Sequence, residues 1–361
     1  MGHDRDSHSN RQNRVRSIFA VLGLKGIIFF DLRTIRYLTG FSGSDGVLLL
    51  GADRTILLVD GRYQEQAARQ AGSAEIRLYE DKVTGILDAL SANGGQSFGF
   101  DASALSVDLY LSMTQRLGEK RLSPLREEIR LVRAIKEDAE VDLMRRAAAI
   151  SSESVISLFP LIRPGVSERE LAAELGHLLQ KNGSDGPSFP IIAASGENSA
   201  LPHAAPGGRR IQEGDILIID CGAIFDGYCS DETVTVVLGP LDPEKKQAYE
   251  VVREALQEGL DIIRPGVPCR EVDGKARGRI ERAGWGQFFS HGTGHGVGLD
   301  VHEAPRLSTR SEELLEEGMV ITVEPGVYFP GKWGIRLEDM VVVRRNGIEI
   351  LSRVPKELKV L

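Results

Sequence analysis

The sequence predicts two domains, a smaller α/β domain over residues 15–130 and a larger α+β domain over residues 131–361 that is itself an internally duplicated pair. Three observations carry this expectation. Short apolar runs alternate with helix-compatible stretches through the first part. A five-residue string with its flanks recurs 101 residues later in the second part. The length of 361 residues also exceeds the ~250 at which single hydrophobic cores usually stop growing. Composition allows real cores, with 42% hydrophobic and 27% charged residues.

The formal charge of −8 argues against nucleic acid or an anionic membrane as partner. It is unevenly placed: Lys and Arg number 17 against 16 acids in residues 1–130, but 27 against 36 in residues 131–361. No apolar run approaches the roughly 20 residues that span a bilayer, and Met1–Arg16 lacks the apolar core of a signal peptide, so a cytoplasmic protein is expected. Cys221, Cys229 and Cys269 are too few for a disulfide framework and form no CxxC pair.

In chain order, residues 1–14 read as a polar leader, ragged or disordered. Gly26–Phe30, Gly46–Leu50 and Thr55–Val59 read as strands, interleaved with helical stretches such as Tyr63–Ala71 and Asp81–Ser91. The first domain ends near residue 130, before a long helical pattern from Lys136 to Phe159. Beyond it, Ile162-Arg-Pro-Gly-Val166 with Arg169-Glu170 recurs as Ile263-Arg-Pro-Gly-Val267 with Arg270-Glu271. Each copy follows one helical stretch, Lys136–Phe159 or Pro243–Ile262, and precedes another, Glu168–Lys181 or Arg270–Ala283. The Pro-Gly pair stops the first helix and turns the chain. Two similar halves about a pseudo-twofold axis follow, with any shared site where they meet.

Asp226-Gly227 sits between two strand-like runs of Asp215–Val237, the dipeptide of a two-residue hairpin turn. With Phe225 opposite Tyr228, Asp220 lies opposite Thr233 and Gly222 opposite Asp231, so Asp220 and Asp231 become diagonal neighbours on one face. Two such charges in an apolar setting repel and resist desolvation unless a cation lies between them, and a metal is the simplest answer. The alternative is that Asp231 merely ends a strand while Asp220 lies at its rim. In the second half, Met319–Glu324 ends in an acid before Pro325, and Gly334–Val343 reads as a strand carrying Glu338, unless that is a surface salt-bridge strand with Arg336 and Asp339. The loop Val327–Trp333 hides the register between them.

His291, His295 and His302 fall within twelve residues among closely spaced glycines, which excludes a regular helix and suits backbone that must bend or pass close to a ligand. His203 lies on a turn-rich loop after the strand-like Ser188–Ala193. Four carboxylates, two from each half, with one histidine suffice for two divalent ions, and oxygen-rich ligation favours manganese, magnesium or cobalt. Metal-assisted hydrolysis is the expected reaction class.

Asp220-Cys-Gly-Ala with Asp226-Gly-Tyr-Cys-Ser-Asp231, His291-Gly-Thr-Gly-His295 with Val301-His302-Glu303, Val323-Glu324-Pro-Gly326 and Gly334-Ile-Arg-Leu-Glu338-Asp339 resemble, in order, the motifs of the pita-bread metallopeptidases. The resemblance is to the proline-directed branch with Xaa-Pro dipeptidase (prolidase) and Xaa-Pro aminopeptidase, and it covers essentially all of residues 131–361. Tyr37–Gly46 and Asp60-Gly-Arg-Tyr63 look like the smaller creatinase-like amino-terminal domain of that branch.

The resemblance implies a pita-bread (creatinase/aminopeptidase-like) catalytic domain and two divalent ions per subunit, manganese first, with cobalt or zinc as alternatives. By that likeness Asp220 holds one ion, Asp231 and Glu338 bridge both, and His295 with Glu324 complete the other. Glu324 takes the proton of the attacking water, and His203 and His302 orient substrate and stabilise developing charge. His291, Tyr328 and Arg336 support the proline pocket. It implies Xaa-Pro dipeptide cleavage, or Xaa-Pro aminopeptidase action on longer peptides, in a homodimer. A metal-free creatinase-like hydrolase or a noncatalytic binding protein is the competing expectation. One departure is Val234, where the family often has arginine in Asp-x-Thr-Arg; altered electrostatics and substrate preference at the site are expected from it.

Overall fold

The computed structural model describes residues 2–92, 97–117 and 121–361. Two compact units divide the chain, Met1–Arg133 and Ala134–Leu361. No helix among the described residues is long and apolar enough to cross a membrane.

The first unit runs α1 (Gly2–Val21), β1 (Gly26–Phe29), α2 (Leu32–Thr39), β2 (Val47–Gly51), β3 (Thr55–Val59), α3 (Gln64–Gln70), β4 (Glu75–Leu78), α4 (Lys82–Ala92), β5 (Phe98–Asp101), α5 (Val107–Leu117), β6 (Leu122–Leu125) and the short α6 (Glu127–Arg130). Its sheet has the order β4-β3-β2-β1-β5-β6, antiparallel across β1–β2–β3 and parallel at β3–β4, β1–β5 and β5–β6. Strands β1, β2, β3 and β5 are buried along their whole length, the pattern of a sheet covered on both faces.

The polar leader expected through residue 14 is instead part of a helix. Its polar side chains supply hydrogen bonds that tie it to α2: Arg11 Nη1 donates to the Tyr37 carbonyl at 3.1 Å and Gln12 Nε2 to that of Leu38 at 2.9 Å. Polarity there satisfies backbone acceptors at the end of a neighbouring helix, where composition alone reads as solvation.

The second unit uses one plan twice. Its first half has α7 (Asp138–Leu158), α8 (Glu168–Lys181), β7 (Gly186–Pro187), β8 (Ile192–Ser195), β9 (Ile216–Cys221), β10 (Ala223–Phe225), β11 (Tyr228–Cys229) and β12 (Glu232–Val237). Its second half has α9 (Pro243–Asp261), α10 (Cys269–Arg282), β13 (Gly294–Gly296), β14 (Glu303–Leu307), β15 (Val320–Val323), β16 (Gly326–Phe329), β17 (Trp333–Arg336), β18 (Asp339–Arg344) and β19 (Gly347–Ile350), before β20 (Lys359–Val360) returns to pair with β12. The two main sheets have the orders β20-β12-β9-β8 and β14-β13-β15-β18-β19.

The repeated Pro-Gly turns are the same structure in both halves. Gly165 and Gly266 take φ of 91° and 87°, and their N–H groups donate to Ile211 and Leu315 carbonyls at 2.8 and 2.7 Å. Ile211 and Leu315 then return hydrogen bonds to Val166 and Val267, each at 2.9 Å. Ser167 caps α8 in a capping box with Glu170.

Two expectations for the strands change. Gly334–Val343 is not one strand: β17 pairs with β16 and β18 with β15, and the break falls at Leu337-Glu338. There Leu337 N–H donates to the Pro325 carbonyl at 3.3 Å, and Glu338 N–H to that of Thr233 at 3.1 Å, so the backbone leaves one ladder to bond across halves. Val234 also does not face the predicted site. Side chains alternate along β12, so Val234 and Val236 pack with Val155 and Leu158, while Thr233 faces the carboxylates. A valine there extends an apolar cluster and touches none of the proposed ligands.

Candidate active site

The first pair of acids is set by a hairpin. Asp226 and Gly227 both adopt positive φ, 45° and 77°, as a type I′ turn requires, and the strands pair Phe225 with Tyr228 and Asp220 with Thr233, the register the turn predicts. Gly222 lies between the acids because a Cβ there would sit 1.8 Å from the Ser230 carbonyl oxygen. The second pair occupies equivalent places: Glu324 directly follows β15, and Glu338 directly precedes β18. In each half one acid closes the outgoing strand and one opens the return strand.

The histidines come from the glycine-rich segment, whose glycines serve strand packing. A Cβ on Gly294 would lie 2.0 Å from the Thr322 carbonyl oxygen, so only glycine lets β13 approach β15. That approach carries His295 over the carboxylates. His295 Nδ1 lies 3.1 Å from the Gly296 carbonyl; donation there leaves the lone pair on Nε2, 3.4 Å from Glu324 Oε1 and 3.6 Å from Asp231 Oδ2. One ligand atom each from Asp231, His295 and Glu338 lies within 4.8 Å of the others.

Asp220 stands beside this triplet. Arg336 Nη2 donates to its Oδ2 at 2.6 Å, whereas its Oδ1 is buried with no hydrogen-bond partner among the described residues. Arg336 Nη1 also donates to Tyr328 Oη at 2.8 Å and to the Pro202 carbonyl at 3.0 Å, and Tyr328 Oη is 2.9 Å from His291 Nε2. His302 packs against His295 with the rings tilted at 58° and their centroids 4.3 Å apart. His203 is exposed on its loop; burial lowers the basicity of His291 and His302, and His203 adds to that effect on both. All the residues singled out in the sequence therefore gather in one place, with His203 at the rim.

Sequence reasoning missed the supporting hydroxyls. Thr233 Oγ1 donates to Glu338 Oε2 at 2.7 Å, and Thr235 Oγ1 to the Arg336 carbonyl at 2.7 Å. The hairpin register was the available signal, since it already put Thr233 opposite Asp220.

The electrostatics are those of a site short of positive charge. Burial, reinforced by Glu338, Asp220 and Glu324, drives the Asp231 carboxyl well above its usual range. Burial with Glu324 and Asp220 does the same to Glu338, and burial pushes Glu324 up to about 7 against the pull of Arg336. Burial and then His302 lower His295 to about 4, so it is neutral at pH 7 and cannot compensate the acids. Burial disfavours the Arg336 charge, but Tyr328, Asp220 and Glu324 outweigh it, and Arg336 stays protonated.

Among the described residues a single guanidinium faces four carboxylates here. Carboxylates this buried ionise only with further cations nearby. The orphaned Asp220 Oδ1, the His295 Nε2 that faces Glu324 and Asp231, and the oxygen-rich donor set all fit divalent metal ions.

Two family models match this chain. Residues 142–345 match metallopeptidase family M24, and residues 11–135 match the creatinase/prolidase N-terminal domain. The chain is a member of metallopeptidase family M24. Among solved structures, this M24 chain is similar to the Xaa-Pro dipeptidase from Bacillus anthracis, with 37% identity, coverage of 98% of this chain and 100% of that one, and a TM-score of 0.95. It is also similar to the X-Pro aminopeptidase from Thermotoga maritima, with 32% identity, 97% and 99% coverage and a TM-score of 0.89. The Xaa-Pro dipeptidase of Pyrococcus horikoshii is 35% identical over 326 residues, 90% of this chain and 91% of that protein. The second unit is thus the pita-bread domain of a metallopeptidase and the first its creatinase-type partner.

Proposed function

We propose that this M24 peptidase hydrolyses the Xaa-Pro bond of dipeptides, using two divalent ions, with manganese as the working metal, in a cytoplasmic homodimer. The observation that carries the reading is the cluster of Asp231, His295 and Glu338, with Glu324 3.4 Å from the imidazole and an unpartnered oxygen on neighbouring Asp220. Asp220, Asp231, His295, Glu324 and Glu338 would hold the ions. When bound, the ions supply Lewis acidity to the carbonyl and make a water acidic enough to attack near neutral pH.

The chain's own residues do the rest. Glu324 accepts a proton from the attacking water and returns it to the departing prolyl nitrogen, so that water is added across the amide and nothing else is consumed. Thr233 and Arg336 hold Glu338 and Asp220 in place, as supporting hydrogen bonds do around metal ligands. His302 and His203 would orient the substrate and donate to developing negative charge. His291, Tyr328 and Arg336 form one hydrogen-bonded chain along the site wall.

The similarity to an X-Pro aminopeptidase supports the second reading, cleavage before proline in longer peptides. Incubating the manganese-loaded protein with Xaa-Pro and Xaa-Pro-Yaa peptides separates the two: release from Xaa-Pro alone supports the dipeptidase, and faster release from the longer peptides supports the aminopeptidase. If neither is cut, the peptidase reading fails for proline substrates.

A further inference from the structure

Glu168 opens α8, its side chain is fully buried, and it touches none of the residues assigned to metal or substrate. Its carboxylate is instead saturated by donors from one loop. Oε1 accepts from Ser195 N–H at 2.8 Å, Ser195 Oγ at 2.8 Å and Asn198 Nδ2 at 3.1 Å. Oε2 accepts from Asn198 Nδ2 at 3.0 Å and Gly207 N–H at 3.1 Å. These donors bracket residues 195–207, the segment that carries His203 and the Pro202 carbonyl.

The far side of the same loop is tied to the site wall. Ser199 Oγ accepts from Gly334 N–H at 2.8 Å, and the Pro202 carbonyl accepts from Arg336, which also holds Asp220. A loop clamped at both ends and along its length positions an exposed His203 without any contact to the imidazole itself.

The second half repeats the device. Asp273 on α10, also fully buried, accepts from Thr293 N–H at 3.0 Å and Thr293 Oγ1 at 2.9 Å, and the Thr293 carbonyl accepts from Glu324 N–H at 2.7 Å. In both halves a buried acid on the second helix grips the N–H and hydroxyl of a residue beside the central strand. One such grip leads to His203 and the other to Glu324.

We infer that Glu168 is a positioning residue for His203, acting on the reaction through the 195–207 loop. The inference rests on the proposed reading that His203 meets the substrate. A carboxylate suits the place because it accepts on both oxygens, including from the obligate N–H donors of Ser195 and Gly207; an amide at residue 168 would turn its own NH2 towards one of those two N–H groups.

The test is a double-variant kinetic comparison in the manganese-loaded protein on an Xaa-Pro dipeptide. His203→Ala is expected to lower kcat about 100-fold and Glu168→Gln about 10-fold or more, with bound manganese and KM changed less than about two-fold. Glu168→Gln combined with His203→Ala should be no slower than His203→Ala alone, a non-additivity that mere loss of stability does not produce. Multiplying losses, or a folded Glu168→Gln with near-wild-type kcat, would overturn the inference while leaving His203 in its role. Wild-type kcat in His203→Ala would overturn the role and the inference together. If Glu168→Gln does not fold, Asn198→Ala removes the donor shared by both oxygens and enters the same comparison with the same deciding outcomes.

Discussion

The half-buried acids of the first unit and the candidate-site acids of the second are partnered in opposite ways. In the first unit Asp31 caps α2, accepting from Thr34 N–H at 2.9 Å and from Arg133 at 3.0 Å. Burial works to raise its pKa, but these partners hold it below the usual carboxylate range. Asp45, bonded by Lys82 and Tyr79, follows the same pattern against the same burial. In the second unit Asp231, Glu324 and Glu338 all sit above their usual range, because their neighbours are other acids and the nearest imidazole is neutral. An acid supplied with cations and N–H groups by the fold is there for the fold. A cluster left in deficit is there for a cation the chain does not encode.

The largest expected effect breaks the deficit itself. Asp231→Asn should lower peptidase activity by about 10³-fold and yet raise the stability of the metal-free protein by about 1 kcal/mol or more, since it removes one charge from a repelling group. Parallel activity assays and metal-free thermal melts check both halves of that expectation. A loss of stability would mean that Asp231 is a structural acid like Asp31.

Next in size is ligand linkage. Manganese at a hundred times its Kd should stabilise the wild-type chain by about 2.7 kcal/mol per site, seen as a raised midpoint in denaturant, with Asp231→Asn responding far less.

Asp31→Asn should cost about 1 kcal/mol at pH 7, the scale of losing the ion pair to Arg133 and a helix-dipole charge, since asparagine caps a helix about as well as aspartate. Its folded pKa is depressed, so its contribution is complete above the unfolded value and disappears as pH falls through the folded one. The variant and wild type should therefore converge in stability below about pH 3.8, the ordinary value, and a gap that stays constant into acid would contradict the assignment. Smallest is Lys82→Met beside the more exposed Asp45, expected to shift denaturant stability by under about 1 kcal/mol without altering metal binding.

How far the site could be read from the sequence followed the connections between its acids. Asp220 and Asp231 were legible because Asp226-Gly227 is a two-residue turn, and such a turn dictates register. Glu324 and Glu338 are separated by the β16–β17 hairpin, which pairs with itself, so no period-two argument crosses it and the strand break at Glu338 stayed hidden. The helices around the Pro-Gly repeats were legible from punctuation and composition. The helical role of residues 2–14 was not, because it depends on distant Tyr37 and Leu38 carbonyls that local polarity does not announce. Val234 was misread for want of a face assignment, although the alternation that places Asp231 and Thr233 on the site side also puts Val234 on the other.

The contrast between the two units comes down to how many ions the chain takes and where. Calorimetric titration of the metal-free protein with manganese, run beside Asp31→Asn and Asp231→Asn, measures this directly. Two ions per chain in the wild type and in Asp31→Asn, with fewer in Asp231→Asn, is the predicted result. Less than one ion in the wild type, or a stoichiometry indifferent to Asp231, would contradict it.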